Sequence, residues 1–125
     1  MFQTIADRVG TTAFTGYQQT EGASHIVALV ANGEEVGAVS AGTKGPVAVV
    51  TRETPFYGEQ GGQVGDTGTA AGPRGKLNIT DATKPVSALT VHVGHITEGE
   101  LKVGDPLALA VDVERRNAIR RNHSA

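Results

Sequence analysis

Short apolar runs separated by turn-forming residues constrain the fold of this chain more than any other feature. Six runs rich in β-branched residues are divided by Gly, Pro, Asn and Asp, and they cover residues 25–31, 36–39, 47–52, 77–80, 89–96 and 107–113. Short strands at regular spacing are typical of an antiparallel barrel or sandwich. The sequence therefore predicts an all-β domain with a single core.

Turn signals lie where these runs stop. They are NG at 32–33, GPRG at 72–75 and VGDP at 103–106. An Asn-Gly pair between two apolar runs predicts a two-residue antiparallel hairpin. In the run that starts at Leu89, the residues Leu89, Val91 and Val93 alternate with Thr90, His92 and Gly94. This alternation predicts one buried face and one solvent-facing face.

The pattern changes after Asp112, where ERRNAIRRNHSA contains neither Gly nor Pro and predicts a helix. At the other end, the first ten residues offer only Ile5 and Val9 as apolar anchors. We therefore expect poor order there.

Composition limits the possible functions. The 125 residues hold no Cys, so a disulfide framework and a thiolate metal site are excluded. The formal net charge of −2 argues against nucleic-acid binding over the whole surface, and any RNA contact should be local. No signal peptide or long apolar run is evident. We expect a soluble cytoplasmic protein without membrane or DNA partners.

The most informative segment is TPFYGEQGGQVGDTG at 54–68. It resembles the TPFY…GGQ.GD.G signature of alanyl-tRNA synthetases. FTGY at 14–17, DATK at 81–84, VHVG at 91–94 and GELKVGD at 99–105 follow in the order and spacing of that family. The end, VDVERRNAIRRNHSA, resembles the start of the family's editing domain, so the resemblance covers nearly the whole chain.

This resemblance implies a small closed antiparallel β-barrel, like the second domain of translation elongation factors, with a short C-terminal helix. Residues 1–113 would form the barrel domain, and 114–125 the truncated start of the editing-domain helix. The parent enzyme would attach alanine to tRNA(Ala) with ATP and Mg, and would hydrolyse mischarged Ser- or Gly-tRNA(Ala) in a zinc-dependent editing domain. The fragment itself is expected to bind no cofactor and to hold no catalytic residue.

Gly61, Gly62 and Gln63 are the candidate editing-site loop. Glycine lets backbone approach an aminoacyl ester closely, and the amide of Gln63 can orient it. The alternative is a tight loop that Gln63 closes by hydrogen bonds. Carboxylates flank the loop at Glu53, Glu59 and Asp66, but sequence separation alone does not pair them as an acid and a base.

Of the four histidines, only His123 carries a specific assignment. By resemblance it is a zinc ligand of the parent protein, in an H-x-x-x-H motif whose second His lies beyond Ala125. One His does not complete a zinc site. His92 and His95 lie three apart in an expected strand and point to opposite faces, so they cannot share an ion. For these two and for His25 we expect structural or solvent-exposed roles.

Arg115, Arg116, Arg120 and Arg121 form the densest basic cluster. Such arginines can hold phosphates of the tRNA acceptor end, or can line a solvated helix face. Phe56 and Tyr57 are expected to close one end of the barrel rather than to stack on bases.

The leading interpretation is a non-catalytic module that positions the editing domain relative to the tRNA acceptor end. Its partners would be tRNA(Ala) and neighbouring domains of the same chain. The alternatives are a truncated, free-standing hydrolase that edits mischarged tRNA in trans, and an independent RNA-binding barrel.

Overall fold

The computed structural model describes residues 1–60 and 63–124, with side chains up to residue 118. Two helices flank the strands. The elements are α1 (Phe2–Val9), β1 (Ala13–Phe14), β2 (Glu21–Ala31), β3 (Glu34–Val36), β4 (Ala38–Ser40), β5 (Val47–Thr51), β6 (Glu53–Thr54), β7 (Gly68–Ala71), β8 (Gly75–Thr83), β9 (Val91–Lys102), β10 (Pro106–Val111) and α2 (Val113–Ser124).

Six strands close into an antiparallel barrel in the order β10-β7-β8-β9-β5-β2, and β2 pairs back to β10 with Leu109 opposite Gly22. Closure leaves these strands without free edges. Outside the ring, β3 pairs with β2, β4 pairs with β9, and β1 runs parallel to β6. The expected closed antiparallel barrel with a short C-terminal helix is confirmed.

The three turn signals mark real turns. Asn32 and Gly33 both have positive φ, 54° and 79°, as a primed hairpin turn requires, and they join β2 to β3. In the GPRG turn between β7 and β8, the Gly72 amide donates to the Gly75 carbonyl at 2.8 Å. Gly104, with φ 95°, lies in the turn between β9 and β10.

The apolar side chains form two cores. One fills the barrel and consists mainly of Ile26, Leu29, Val47, Val49, Phe56, Leu77, Ile79, Leu101, Leu107 and Leu109. The second lies outside the barrel, where Ile5 and Ala6 of α1 join Ala28, Val30, Val50, Leu89 and Val91. A bulge in β2 between Ile26 and Ala28 shifts the register there.

Two expectations are corrected here. The first ten residues are not loose, because α1 buries Ile5 at 0% exposure and docks on the barrel. Residues 89–94 also have no solvent-facing side: Val91 on the outer face lies under α1, while His92 on the opposite face is buried inside the barrel against Phe56. Alternation separated the two faces of the strand, but the face expected to meet solvent lies inside the barrel, and the apolar face is covered by α1.

Helix α2 begins at Val113, where the sequence predicts a helix. Its first turn is capped by the Asp112 carboxylate, which accepts a hydrogen bond from the Arg115 amide at 3.1 Å. Within the described residues, neither helix has the length and apolar character needed to cross a membrane.

Candidate site at the junction of the barrel and helix α2

The glycine-rich segment crosses one end of the barrel between β6 and β7. The backbones of Gln60 and Gln63 exchange two hydrogen bonds, at 3.2 and 3.1 Å, and the Glu59 amide donates to the Ala82 carbonyl at 2.8 Å. These bonds tie the segment to itself and to β8. Gly61 and Gly62 lie outside the described residues.

Close backbone packing explains two glycines of this segment. A Cβ on Gly65 would collide with the carbonyl of Ala82 in β8, and one on Gly68 with the carbonyl of Ala110 in β10. Both contacts are with backbone, which cannot move aside as a flexible side chain does. Gly65 and Gly68 therefore allow the loop to lie directly against the barrel wall.

A single buried arginine joins α2 to this end of the barrel. The Arg116 guanidinium forms a bidentate ion pair with Asp66, through Nε to Oδ1 at 3.2 Å and through Nη2 to Oδ2. It also donates to the Pro55 carbonyl at 2.8 Å and to the Gly16 carbonyl at 3.4 Å. Three separate segments thus converge on one side chain of α2.

The neighbouring groups reinforce this contact. Arg116 is 8% exposed and Asp66 is 5% exposed, so water competes little for their charges. The other bonds of the Asp66 carboxylate include one from the Tyr57 amide at 2.8 Å, and Arg115 donates from Nη1 to the Gly65 carbonyl at 2.8 Å. We name this group the arginine clasp. It consists of Arg115 and Arg116 of α2, the Asp66 carboxylate, and the carbonyls of Gly16, Pro55 and Gly65.

A buried histidine fixes the start of the loop. Because the Val49 carbonyl can only accept, His92 Nδ1 carries the proton and donates to it at 2.8 Å. Nε2 then accepts from the Thr54 hydroxyl at 2.7 Å, and Thr54 Oγ1 accepts from the Phe56 amide at 3.0 Å. Burial lowers the pKa of His92 to about 4, although its bond to Val49 acts in the opposite direction.

Beside the arginine clasp lies a pocket of about 310 Å³. Its walls are formed by Phe14, Gly16, Tyr17, Tyr57, Gln63, Val64, Asp66 and Arg116. Phe14 makes edge-on contacts with two tyrosines, with ring centroids 4.9 Å from Tyr17 and 6.2 Å from Tyr57. Tyr17 is 89% exposed. We name this feature the aromatic pocket.

Comparison with known proteins decides the family. The model of the tRNA synthetases class II (A) matches residues 1–115. The chain belongs to this family.

Relatives of this class II synthetase chain include alanine–tRNA ligases. The chain is 50% identical over 121 residues to the enzyme of Anaeromyxobacter sp. (strain Fw109-5), and 48% identical over 122 residues to that of Granulibacter bethesdensis. A third, from Myxococcus xanthus, is 48% identical over 125 residues. Each alignment covers 97% of this chain but only 13% or 14% of the relative.

The structure brings part of the candidate site together in this synthetase chain. Arg115 and Arg116 meet the loop that carries Gln63, so loop and helix lie at the same end of the barrel, as a shared pocket requires. Gly61 and Gly62 fall outside the described residues. Arg120, Arg121 and His123 belong to the helical backbone of α2, but their side chains are likewise undescribed.

Arg116 is buried and hydrogen-bonded within the protein, unlike an arginine on a solvated helix face. Its bonds to Asp66, Pro55 and Gly16 enclose it, and its burial argues against a direct phosphate contact in this conformation. Among the described residues, no group of three or more His, Cys, Asp or Glu is arranged to hold a metal ion.

Several residues of the site could not be assigned from the sequence. Phe56 packs in the barrel core at 0% exposure, as expected, but its neighbour Tyr57 is only half-buried and faces the aromatic pocket. Asp66 stood out only as one of three carboxylates near the loop. Its partner lies fifty residues away, and sequence separation gives no signal for such a pair.

Proposed function

We propose that this chain is a non-catalytic module of an alanine–tRNA ligase, which positions the segment after α2 relative to the tRNA acceptor end. In the parent protein that segment is the editing domain, whose zinc site includes His123. The parent enzyme attaches alanine to tRNA(Ala) with ATP and Mg, and it hydrolyses Ser- and Gly-tRNA(Ala). The names of the relatives and the closing sequence RNHSA support this reading.

The arginine clasp is the observation that carries the proposal. A helix attached only through its first residue could swing against the barrel, but α2 is held by a capped first turn and by a buried ion pair one turn in. Planar, bidentate pairing of a guanidinium with a carboxylate also fixes the angle between the groups. The direction in which the chain continues is therefore set by the barrel.

Gln63 borders the same junction, which supports the proposal that Gly61, Gly62 and Gln63 line the editing site. Arg115, Arg120 and Arg121 are proposed to contact phosphates of the acceptor end. Arg116 is assigned to the clasp instead, since four of its five N–H donors are already used within the protein.

The test uses the protein read from its full native reading frame. Asp66→Asn and Arg116→Lys should lower hydrolysis of Ser-tRNA(Ala) about ten- to hundred-fold, because small errors in placement cost this much. Attachment of alanine should stay within about twofold. Lys76→Gln is the control, as Lys76 pairs with Glu98 only at the surface, with 3.7 Å between Nζ and Oε2.

Loss of both activities would indicate misfolding and would be checked by thermal unfolding of each variant. Full editing activity in folded Asp66→Asn and Arg116→Lys proteins would contradict the positioning role. A native reading frame that ends soon after residue 125, with hydrolysis and no aminoacylation, would favour the free-standing hydrolase instead.

The isolated 125-residue chain gives a second test. We expect it neither to hold zinc at micromolar concentration nor to hydrolyse Ser-tRNA, because one histidine supplies a small part of a tetrahedral ligand set. Without a metal to lower the pKa of bound water, no strong nucleophile forms near neutral pH. Hydrolysis equal to that of the full-length protein would place catalytic groups in the barrel.

A further inference from the structure

The aromatic pocket has a composition suited to a flat, uncharged, polar ring. Its walls combine three aromatic rings with the primary amide of Gln63 and two phenol hydroxyls. Amides and hydroxyls both donate and accept hydrogen bonds, and aromatic faces stack on planar groups. Its volume of about 310 Å³ is at the lower end of the range for small-ligand sites.

The charges at the pocket floor argue against an anion. Arg116 and Asp66 both line the pocket, but they neutralise each other in a bidentate pair. A phosphate there would have to displace a carboxylate from a buried guanidinium. Arg115 is a nearby cation whose side chain is more accessible than that of Arg116. It is half-buried, does not line the pocket, and donates one hydrogen bond to the Gly65 carbonyl.

The exposure of the Tyr17 side chain also indicates a ligand at this pocket. Tyr17 is 89% exposed, although a tyrosine in a structural role buries most of its side chain. Phe14 supports it edge-on from below. Gly16 makes this arrangement possible, because a Cβ there would strike both the Phe14 ring and the Pro55 carbonyl.

We propose that the aromatic pocket binds a nucleobase, and that the base is the 3′-terminal adenine of the tRNA acceptor end. Tyr17 stacks on the base, Gln63 meets its polar edge, and Arg115 lies where it can contact the adjoining phosphate. This assignment rests on the proposed function, which brings the acceptor end to this side of the barrel. An adenine is the specific choice because a Gln amide can pair with both N6 and N7.

The tyrosines of the chain can report ligand binding at this pocket. It contains no Trp and two Tyr, Tyr17 and Tyr57, and both line the pocket. In protein labelled with ¹³C on tyrosine rings, every ring signal therefore comes from this site. Titration of the 125-residue chain with the RNA trinucleotide CCA should shift both sets of ring signals along one saturable curve.

Three ligands distinguish binding of the base from binding of the sugar and phosphate. CCA and adenosine should shift the tyrosine signals, adenosine more weakly, whereas ribose 5-phosphate should leave them unchanged. Equal shifts from ribose 5-phosphate would indicate an anion site and overturn the proposal. No saturable shift by CCA up to about 10 mM, far above the concentrations at which a useful contact forms, would also overturn it.

Variants then test the stacking. Tyr17→Leu should weaken CCA binding about five- to hundred-fold, the range expected for loss of one stacked base. Tyr17→Phe, which keeps the ring, should bind within about threefold of the original chain, with Tyr57 as the reporter in both variants. Val103→Ala removes an exposed apolar side chain outside the pocket lining and should change nothing.

Unchanged affinity in Tyr17→Leu would show that the base does not stack there. In the full-length protein, the signals of Tyr17 and Tyr57 are assigned by their loss in Tyr17→Phe and Tyr57→Phe; if the assigned signals do not respond to CCA, a neighbouring domain fills the pocket and the proposal is overturned. Failure here leaves the positioning role intact, because Asp66→Asn and Arg116→Lys test that role by hydrolysis rather than by binding.

Discussion

The outer surface of the barrel has a region covered by a helix and a region open to solvent. Over β2, β5 and β9 it is covered by α1, and outward side chains such as Ala28, Val50 and Val91 are buried. Over β7, β8 and β10 the outward side chains are exposed, and Ala108 lies between Ala23 and Ala71 of its two neighbouring strands. The same kind of strand, and even the same residue type, occurs in both settings.

The difference shows that burial in this barrel depends on what covers a strand and not on its place in the ring. Strand β8 keeps a regular alternation, with Leu77 and Ile79 inside and Lys76 and Asn78 outside. At the start of β9, Val91 is buried because α1 lies over the outer face, whereas His92 on the opposite face is buried inside the barrel beside Phe56.

The largest contrast should come from placing a carboxylate at matched alanines. Ala28→Asp puts an unpaired charge under α1, and we expect a loss of more than about 4 kcal/mol in the free energy of unfolding. Ala108→Asp adds the same group to the open face and should cost less than about 1 kcal/mol, mainly through the low strand propensity of Asp. Urea unfolding followed by far-UV circular dichroism measures both.

A marginally stable domain of this size can unfold outright with a loss of this magnitude. Because Ala28→Asp can then give no transition, Ala28→Ser, which adds one hydroxyl, serves as the milder variant beside Ala108→Ser. Equal effects at the two positions would mean that α1 does not cover β2 in solution.

The second contrast tests the helix itself. Ile5→Ala removes a fully buried side chain of α1 and should cost about 2 to 5 kcal/mol, the usual range for such truncations in a core. Asn78→Ala on the open face of β8 should change stability by less than about 0.5 kcal/mol. A small effect of Ile5→Ala would show that the first residues contribute little to the fold.

The same contrast explains what could be predicted from the sequence. The barrel strands and turns follow from local rules, since Asn32-Gly33 needs positive φ and Leu77 alternates with polar neighbours. Helix α1 was missed because its stability comes from contact with distant strands rather than from its own eight residues. Without α1, the outer core could not be foreseen.

The candidate site was predicted in part for a related reason. Family-like motifs identified the loop and the arginines, and the structure brings Arg115, Arg116 and Gln63 to one end of the barrel. The role of Arg116 depends on Asp66, Pro55 and Gly16, which are far from it in sequence. Charge clustering alone cannot separate a solvated arginine from a buried one.

The smallest contrast concerns two histidines of β9. His92 points into the barrel and is fully buried, whereas His95 on the opposite face is exposed. Burial lowers the pKa of His92 from 6.5 to about 4 in the folded chain. Between these values the unfolded chain binds a proton that the folded chain does not, so the free energy of unfolding falls as the pH falls from about 6.5 to 4.

At pH 5 this difference amounts to about 2 kcal/mol relative to pH 7. His92→Gln should be less stable at pH 7, because it lacks one of the ring's two bonds, but its stability should depend less on pH by about this amount. His95→Gln, at an exposed position of the same strand, is the matched control, and this comparison removes the contribution of the carboxylates. The free energy of unfolding is measured by urea unfolding at pH 7, 6 and 5 for both variants. Parallel pH profiles for His92→Gln and His95→Gln would mean that His92 takes up its proton while folded. They would also mean that the barrel interior beside Thr54 is open to water.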